Sequence, residues 1–107
     1  MLSIYPITLL VAADAARIAR LIEIFDRDMA RQCRKAGGSV PLNTAEGSGS
    51  RGGNRRARYE NALGSSRELH AIYDASVAMQ YIEEPGEEVR GRLNRVIATY
   101  VSLLYKK

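Results

Sequence analysis

Cysteine is almost missing from this chain: Cys33 is the only one in 107 residues. That excludes an intrachain disulfide and a cysteine-rich zinc site, and the fold does not rely on an oxidising compartment. Histidine is as scarce, with His70 standing alone. Di-metal helical bundles draw a Glu-x-x-His pair from each of two helices, which this chain cannot supply, so no metal or other cofactor is expected. Long apolar runs are missing as well. The N-terminal apolar stretch, Ile4 to Ala13, is ended by Asp14, and no basic residue precedes it. It is too short to span a membrane, which takes about 20 residues, and it lacks the charged start of a signal peptide. The protein is expected to be soluble and cytoplasmic, with no membrane partner. No segment alternates apolar and polar residues as a half-buried strand does, so a sheet is excluded too.

What is present is helical periodicity. By length the chain is one domain, residues 1–107, with a core small enough to gain from oligomerisation. Ser3-Ile4-Tyr5-Pro6 reads as a helix start, with proline tolerated in the first turn. From Ile7, apolar residues recur at Val11, Ala15, Ile18, Ile22 and Phe25, in steps of three and four. A break is expected near Ile24 to Asp26, with Asp26 or Asp28 capping the next helix. Helix two is expected over Asp26–Gly47, with Met29, Cys33, Ala36, Val40, Asn43 or Thr44, and Gly47 facing inward. Ser48 to Asn54 reads as a glycine-rich loop. It lacks the Gly-Lys-Ser/Thr ending of a nucleotide-binding loop and follows no strand, which argues against nucleotide binding. Helix three is expected from Asn54, a candidate cap, to Tyr81. One of its stripes is Tyr59, Leu63, Ser66, Leu69 or His70, Tyr73 and Val77; a second is Ile72, Ala75, Met79 and Ile82. After the turn Glu83-Glu84-Pro85-Gly86, helix four shows Val89, Leu93, Val96, Ile97, Tyr100, Val101 and Leu104. Four amphipathic helices with short connections predict an all-α, up-down-up-down four-helix bundle.

The chain is organised around Ser39 to Gly49. Pro41 is the one proline with helical sequence on both sides. It removes a backbone donor and crowds the carbonyl of Gly37, so Gly37-Gly38 reads as a kink or as a point of tight helix contact. The alternative is a break there, with Ser39 capping a new helix. Asn43 and Glu46, three apart, share a face. Gly47 and Gly49 are read as the stop. The small residues of this helix, with Gly64, Ser65 and Ser66 of the third, are expected to let helices approach closely.

Charge is unevenly placed. Residues 26–60 hold eight Lys/Arg and four acids, whereas the rest of the chain holds eight of each sign. The whole excess of +4 belongs to the middle third. Such an excess is either an ordinary solvated face or a footprint for a polyanion.

Val40-Pro41-Leu42-Asn43-Thr44-Ala45-Glu46-Gly47, followed by Ala62-Leu63-Gly64-Ser65 and Glu68-Leu69, resembles a family of small bacterial four-helix-bundle proteins. These were first noticed as reading frames inside intervening sequences of large-subunit ribosomal RNA genes. The resemblance runs from about Phe25 to Ile82. The same fold family includes the accessory variability determinant of diversity-generating retroelements, which partners a reverse transcriptase. The resemblance implies a ring-shaped homo-oligomer, a pentamer, with a basic surface. It also implies a structural role for Pro41, Asn43, Glu46 and Gly47. Two departures stand out: Thr44 where an aliphatic residue is commoner, and Arg51 one place later than the arginine of the usual Gly-x-Gly-Arg.

Three functions compete. The first is non-specific binding of RNA or DNA, with Arg51, Arg55, Arg56 and Arg58 on phosphates and Arg31, Arg34 and Lys35 secondary. Only Tyr59 interrupts this basic run as an aromatic, which argues against base stacking. The second is a protein-interaction scaffold or accessory subunit, for example of a reverse transcriptase. The third, an enzyme, needs a cluster of His, Cys, Asp or Glu. Cys33 lacks a placed base and His70 lacks partners, so both read as structural, and the chain is read as non-enzymatic.

Overall fold

The computed structural model of the chain describes residues 2–106. Helix α1 spans Tyr5–Glu23, with Pro6 in its first turn. Val11, Ala15, Ile18 and Ile22 are buried as their spacing predicts, and Thr8, Asp14 and Ala19 join them. Phe25 does not reach the core. It lies beyond the helix end, 60% exposed, and stacks on Tyr81 with ring centroids 5.5 Å apart. The break comes where Asp26 adopts an extended backbone, its carboxylate accepting from the Met29 N–H at 2.9 Å. This is the N-cap that a short acid before a helix provides.

Helix α2, Arg27–Ser48, runs unbroken through Gly37, Gly38 and Pro41, so Ser39 starts no new helix. Of the two readings of the glycine pair, Gly37 realises the tight contact: a Cβ added there would lie 2.5 Å from the Cβ of Ala15 on α1. Gly38 has open space around it. The inward stripe is Ala30, Cys33, Ala36, Gly37, Val40, Pro41, Thr44 and Gly47. Thr44 rather than Asn43 is the buried member, and Met29 is only half-buried. Gly47 is not the stop that the sequence suggested. It lies within the helix beneath the Tyr59 ring, where a Cβ would come within 2.6 Å of Cδ1 and nearer still to Cε1. The helix ends one residue later, and Gly49 (φ −89°) stays in the right-handed region.

The connection that follows is shorter than expected. Helix α3 is Gly52–Ala78, so Gly52, Gly53 and Asn54 belong to its first turn, and Arg51 rather than Asn54 occupies the cap position. The composition of Ser48–Asn54 reads as loop. However, Arg55 Nε donates to the carbonyls of Gly47 (3.2 Å) and Ser50 (2.9 Å) and ties the two helix ends together. Tyr59, Ala62, Leu63, Ser66, Leu69, Ile72, Tyr73 and Ser76 face the core. Leu69, not His70, is the buried member of that pair, and Met79 of the second stripe is exposed. Gly64 serves no close approach, since nothing lies within 4 Å of a Cβ built on it. The helix ends three residues before Tyr81, because Gln80 takes a left-handed backbone (φ 63°) and the Tyr81 N–H returns to the Ser76 carbonyl at 2.8 Å. Such a cap is usually glycine.

Helix α4, Glu87–Tyr105, follows Gly86 (φ 106°) and buries Val89, Leu93, Val96, Tyr100 and Leu104. Glu87 and Glu88 sit in its first turn, where acids suit the helix dipole. Consecutive helices pack against each other, and α1 closes on α4. The result is an up-down-up-down bundle of 42 × 23 × 20 Å. No strand occurs among the described residues, and no helix is long and apolar enough to cross a membrane.

Candidate nucleic-acid interface

Antiparallel packing turns the linear charge pattern into two ends. One end gathers the C-termini of α2 and α4 with the N-termini of α1 and α3. Arg51, Arg55, Arg56, Arg58 and Lys106 stand there, against the acids Glu46 and Glu60. Arg58 pairs with Glu46 at 3.0 Å, and Arg56 with Glu60 at 2.9 Å. The Arg56 guanidinium also lies 5.4 Å from the Tyr105 ring centroid. Arg55 spends its Nε on the Gly47 and Ser50 carbonyls, and the side chain is exposed. Arg51 and Lys106 are exposed and have no ion-pair partner among the described residues.

Arg31, Arg34 and Lys35 lie elsewhere. Seventeen residues of α2 separate Arg31 from Ser48, so at about 1.5 Å of rise per residue Arg31 stands about 25 Å from the end that carries Arg51. Arg31 pairs with Asp28, and Arg34 with Glu23 on α1. Lys35 borders a shallow polar cavity of about 370 Å³ with Gln32, Ser39, Ser65 and Glu68. The seven basic residues singled out in the sequence therefore form two groups, and four of the seven already face a carboxylate.

The structural motif gathers along the α2–α3 contact. Asn43 Nδ2 donates to the Ser39 carbonyl (3.0 Å) and to its Oγ (2.9 Å), and Ser65 of α3 donates to the same Oγ at 2.8 Å. Glu46 reaches Arg58 of α3, and Gly47 admits Tyr59. Pro41 is buried at the core face of α2. The unusual Thr44 is explained across the bundle: its hydroxyl donates to the Val40 carbonyl at 2.8 Å and meets the Tyr100 hydroxyl of α4.

Elsewhere, polar groups serve the fold. Cys33 Sγ donates to the Ala15 carbonyl at 3.4 Å, and burial raises its pKa to about 11. That is the opposite of what a nucleophile needs. His70 Nδ1 lies 3.3 Å from Asp74 at the surface. No group of three or more metal-ligating side chains occurs among the described residues.

One important residue escapes a reading of the sequence. Asp14, which only seemed to end an apolar run, is 4% exposed. It accepts two bonds from Arg92 of α4 at 2.8 Å and one from Arg17 at 3.2 Å. Its one signal is its place on the inward side of α1, between Val11 and Ala15.

No curated protein and no solved structure matches the chain. A family model described as 23S rRNA-intervening sequence protein matches residues 8–102, carrying the resemblance read over Phe25 to Ile82 into all four helices. Motif, bundle and family model agree: the chain belongs to the 23S rRNA-intervening sequence protein family.

Proposed function

We propose that this protein is a small non-enzymatic module that binds nucleic acid without sequence preference through the basic end of its bundle. The observation that carries the proposal is the concentration of Arg51, Arg55, Arg56, Arg58 and Lys106 around one end with only two acids among them. The exposed Arg55, with Arg51 and Lys106, which have no ion-pair partner among the described residues, makes the first phosphate contacts. Arg56 and Arg58 exchange their carboxylates for phosphate at little cost, because exposed ion pairs contribute at most about 1 kcal/mol. Tyr105 beside Arg56 offers a single stacking surface, too little for base reading.

The test is fluorescence anisotropy against single-stranded RNA, duplex RNA and duplex DNA over a salt series. Five phosphate contacts predict a slope of log affinity against log salt of about −3.5 for single strands. Exchanging Arg51 and Lys106 for glutamate removes no ion pair and should weaken all three ligands together. An Arg55→Glu, Arg56→Glu pair should do the same. Unchanged affinity in both variants refutes the site, and absence of binding at low salt refutes the function.

A further inference from the structure

The end of the bundle opposite the arginines has the reverse charge. The segments that reach toward it, residues 20–31 and 72–90, hold eight acids and four Lys/Arg. A groove of about 490 Å³ runs there between the end of α1 and the α3–α4 connection, walled by Leu21, Ile24, Phe25, Tyr81, Ile82 and Pro85. Local backbone geometry shapes it. The left-handed Gln80 and the return of the Tyr81 N–H to Ser76 fold the chain back after α3. Tyr81 thereby meets Phe25, the two rings only 6° from parallel. The Tyr81 hydroxyl lies 3.4 Å from an Asp26 carboxylate oxygen, which ties the ring to the start of α2. Ile24, at the lip, is 77% exposed. Ile24 and Phe25 serve neither the core nor the basic end, and the groove gives these exposed apolar side chains a use.

Its free charge is of one sign. Arg17 and Glu84 also line the groove, but each is already paired, Arg17 with Asp14 at 3.2 Å and Glu84 with Arg90 at 3.0 Å. Glu83 lines it too and has no ion-pair partner among the described residues. An apolar pocket of a few hundred Å³ with one or two placed polar groups is the usual form of a small-molecule site. Here the placed group is a free carboxylate, and the aromatic faces beside it attract cations as well. We propose that the groove binds a small organic cation with an apolar body and a quaternary ammonium or phosphonium centre. The body lies against Ile24, Ile82 and the Phe25–Tyr81 stack, and the charge stands beside Glu83. The walls offer no row of acceptors to replace the water around a primary ammonium, which favours a quaternary centre with no N–H to satisfy. An anion of the same shape meets Glu83 and the other acids of this end, and is disfavoured.

The site is independent of nucleic-acid binding, whose residues stand at the other end of the bundle. Tetraphenylphosphonium and tetraphenylborate test it, because these ions share a shape and differ in the sign of their charge. Amide shifts of the nitrogen-15-labelled full chain, titrated with each ion at low salt, report which residues the ion meets. Tetraphenylphosphonium should move Ile24, Phe25, Tyr81 and Ile82 saturably, and tetraphenylborate should bind at these residues about tenfold more weakly. High salt should narrow that preference. Glu83→Lys should reverse it, and Phe25→Ala should weaken both ions at the groove by about tenfold. Both side chains are exposed, so each variant should keep its helical circular dichroism. Equal affinity of the groove for the two ions overturns the inference. So does the absence of saturable shifts, phosphonium binding that moves other residues instead, or groove binding that survives both substitutions unchanged. Groove shifts produced by raising the protein concentration alone would show another copy as the occupant, and would overturn it as well.

Discussion

Gly47 and Gly38 are both glycines inside α2, and alanine should affect them in opposite directions. In a helix interior, alanine is favoured over glycine by about 1 kcal/mol. At Gly38 nothing lies within 4 Å of the new Cβ. That gain is realised there, with a net stabilisation of about 0.4–1 kcal/mol. At Gly47 the same methyl would stand 2.6 Å from Tyr59 Cδ1. The ring cannot swing aside freely, because it is 7% exposed and lies 5.5 Å from the Tyr100 ring centroid. Overpacking costs about 1–3 kcal/mol, and a methyl this close to a buried ring falls in the upper part of that range, so after the helical gain a loss of about 1–2 kcal/mol is expected. The two variants should differ by about 1.4–3 kcal/mol, or roughly 6–24 °C in melting temperature for a domain of this size. Denaturant titration followed by helical circular dichroism measures this difference. In a Tyr59→Ala background the clash is gone, and Gly47→Ala should become stabilising. If Gly47→Ala and Gly38→Ala shift the midpoint in the same direction, the close approach of α3 to Gly47 does not govern this position.

Three further outcomes follow from the core. Thr44→Val and Tyr100→Phe should each cost about 1 kcal/mol, but the double variant should cost less than their sum, because two apolar groups facing each other leave no orphan hydroxyl; a thermodynamic cycle measures the coupling. Asp14→Asn should cost about 1–3 kcal/mol in denaturant unfolding, since it strips the charge from the contact joining α1 to Arg92, which is itself partly exposed. Alkali should weaken the fold. Burial raises the Cys33 thiol from 9.0 to about 11 and pushes Tyr73 and Tyr100 upward as well, so the unfolded chain releases these protons first. The stability that Cys33 contributes is complete below about pH 9 and declines as pH rises through 11, by about 1.4 kcal/mol per unit in mid-range. Cys33→Ala should flatten the fall between pH 9 and 11, and an unchanged pH profile would refute this assignment.

Periodicity carried α1 and α4 because their inward residues are large and evenly spaced. Val11, Ile18 and Ile22, then Val89, Leu93, Val96 and Tyr100, need no tertiary information to be found. An acidic cap at Asp26 or Asp28 was legible for a similar local reason, as a short acid before a helix, and the structure selects Asp26. The errors cluster where a neighbouring helix decides the outcome. Gly47 reads as punctuation, and only the Tyr59 ring shows that it is a seat. Gly52 and Gly53 read as loop, and only the Arg55 bonds show why α3 starts there. Gln80 carries no composition signal for the backbone it adopts. The basic residues were visible, but their grouping was not: proximity in sequence joined Lys35 to Arg51, whereas antiparallel packing joins Arg51 to Lys106. The buried clasp could not be seen along the chain, because Asp14 and Arg92 meet only when the bundle closes.

The clasp between Asp14 and Arg92 holds the first and last helices side by side, and Leu2 borders the same small cavity as Leu103 and Leu104. A short linker could therefore bridge Leu2 and the last turn of α4, and the backbone could be reopened in the stretch between Gln80 and Gly86, giving a circular permutant with the same four-helix core. The same geometry governs labelling. A dye attached beside Leu2 or Leu103 would stand close to Arg56, so reporters belong near Glu84, at the far pole, where they leave the guanidinium cluster uncovered.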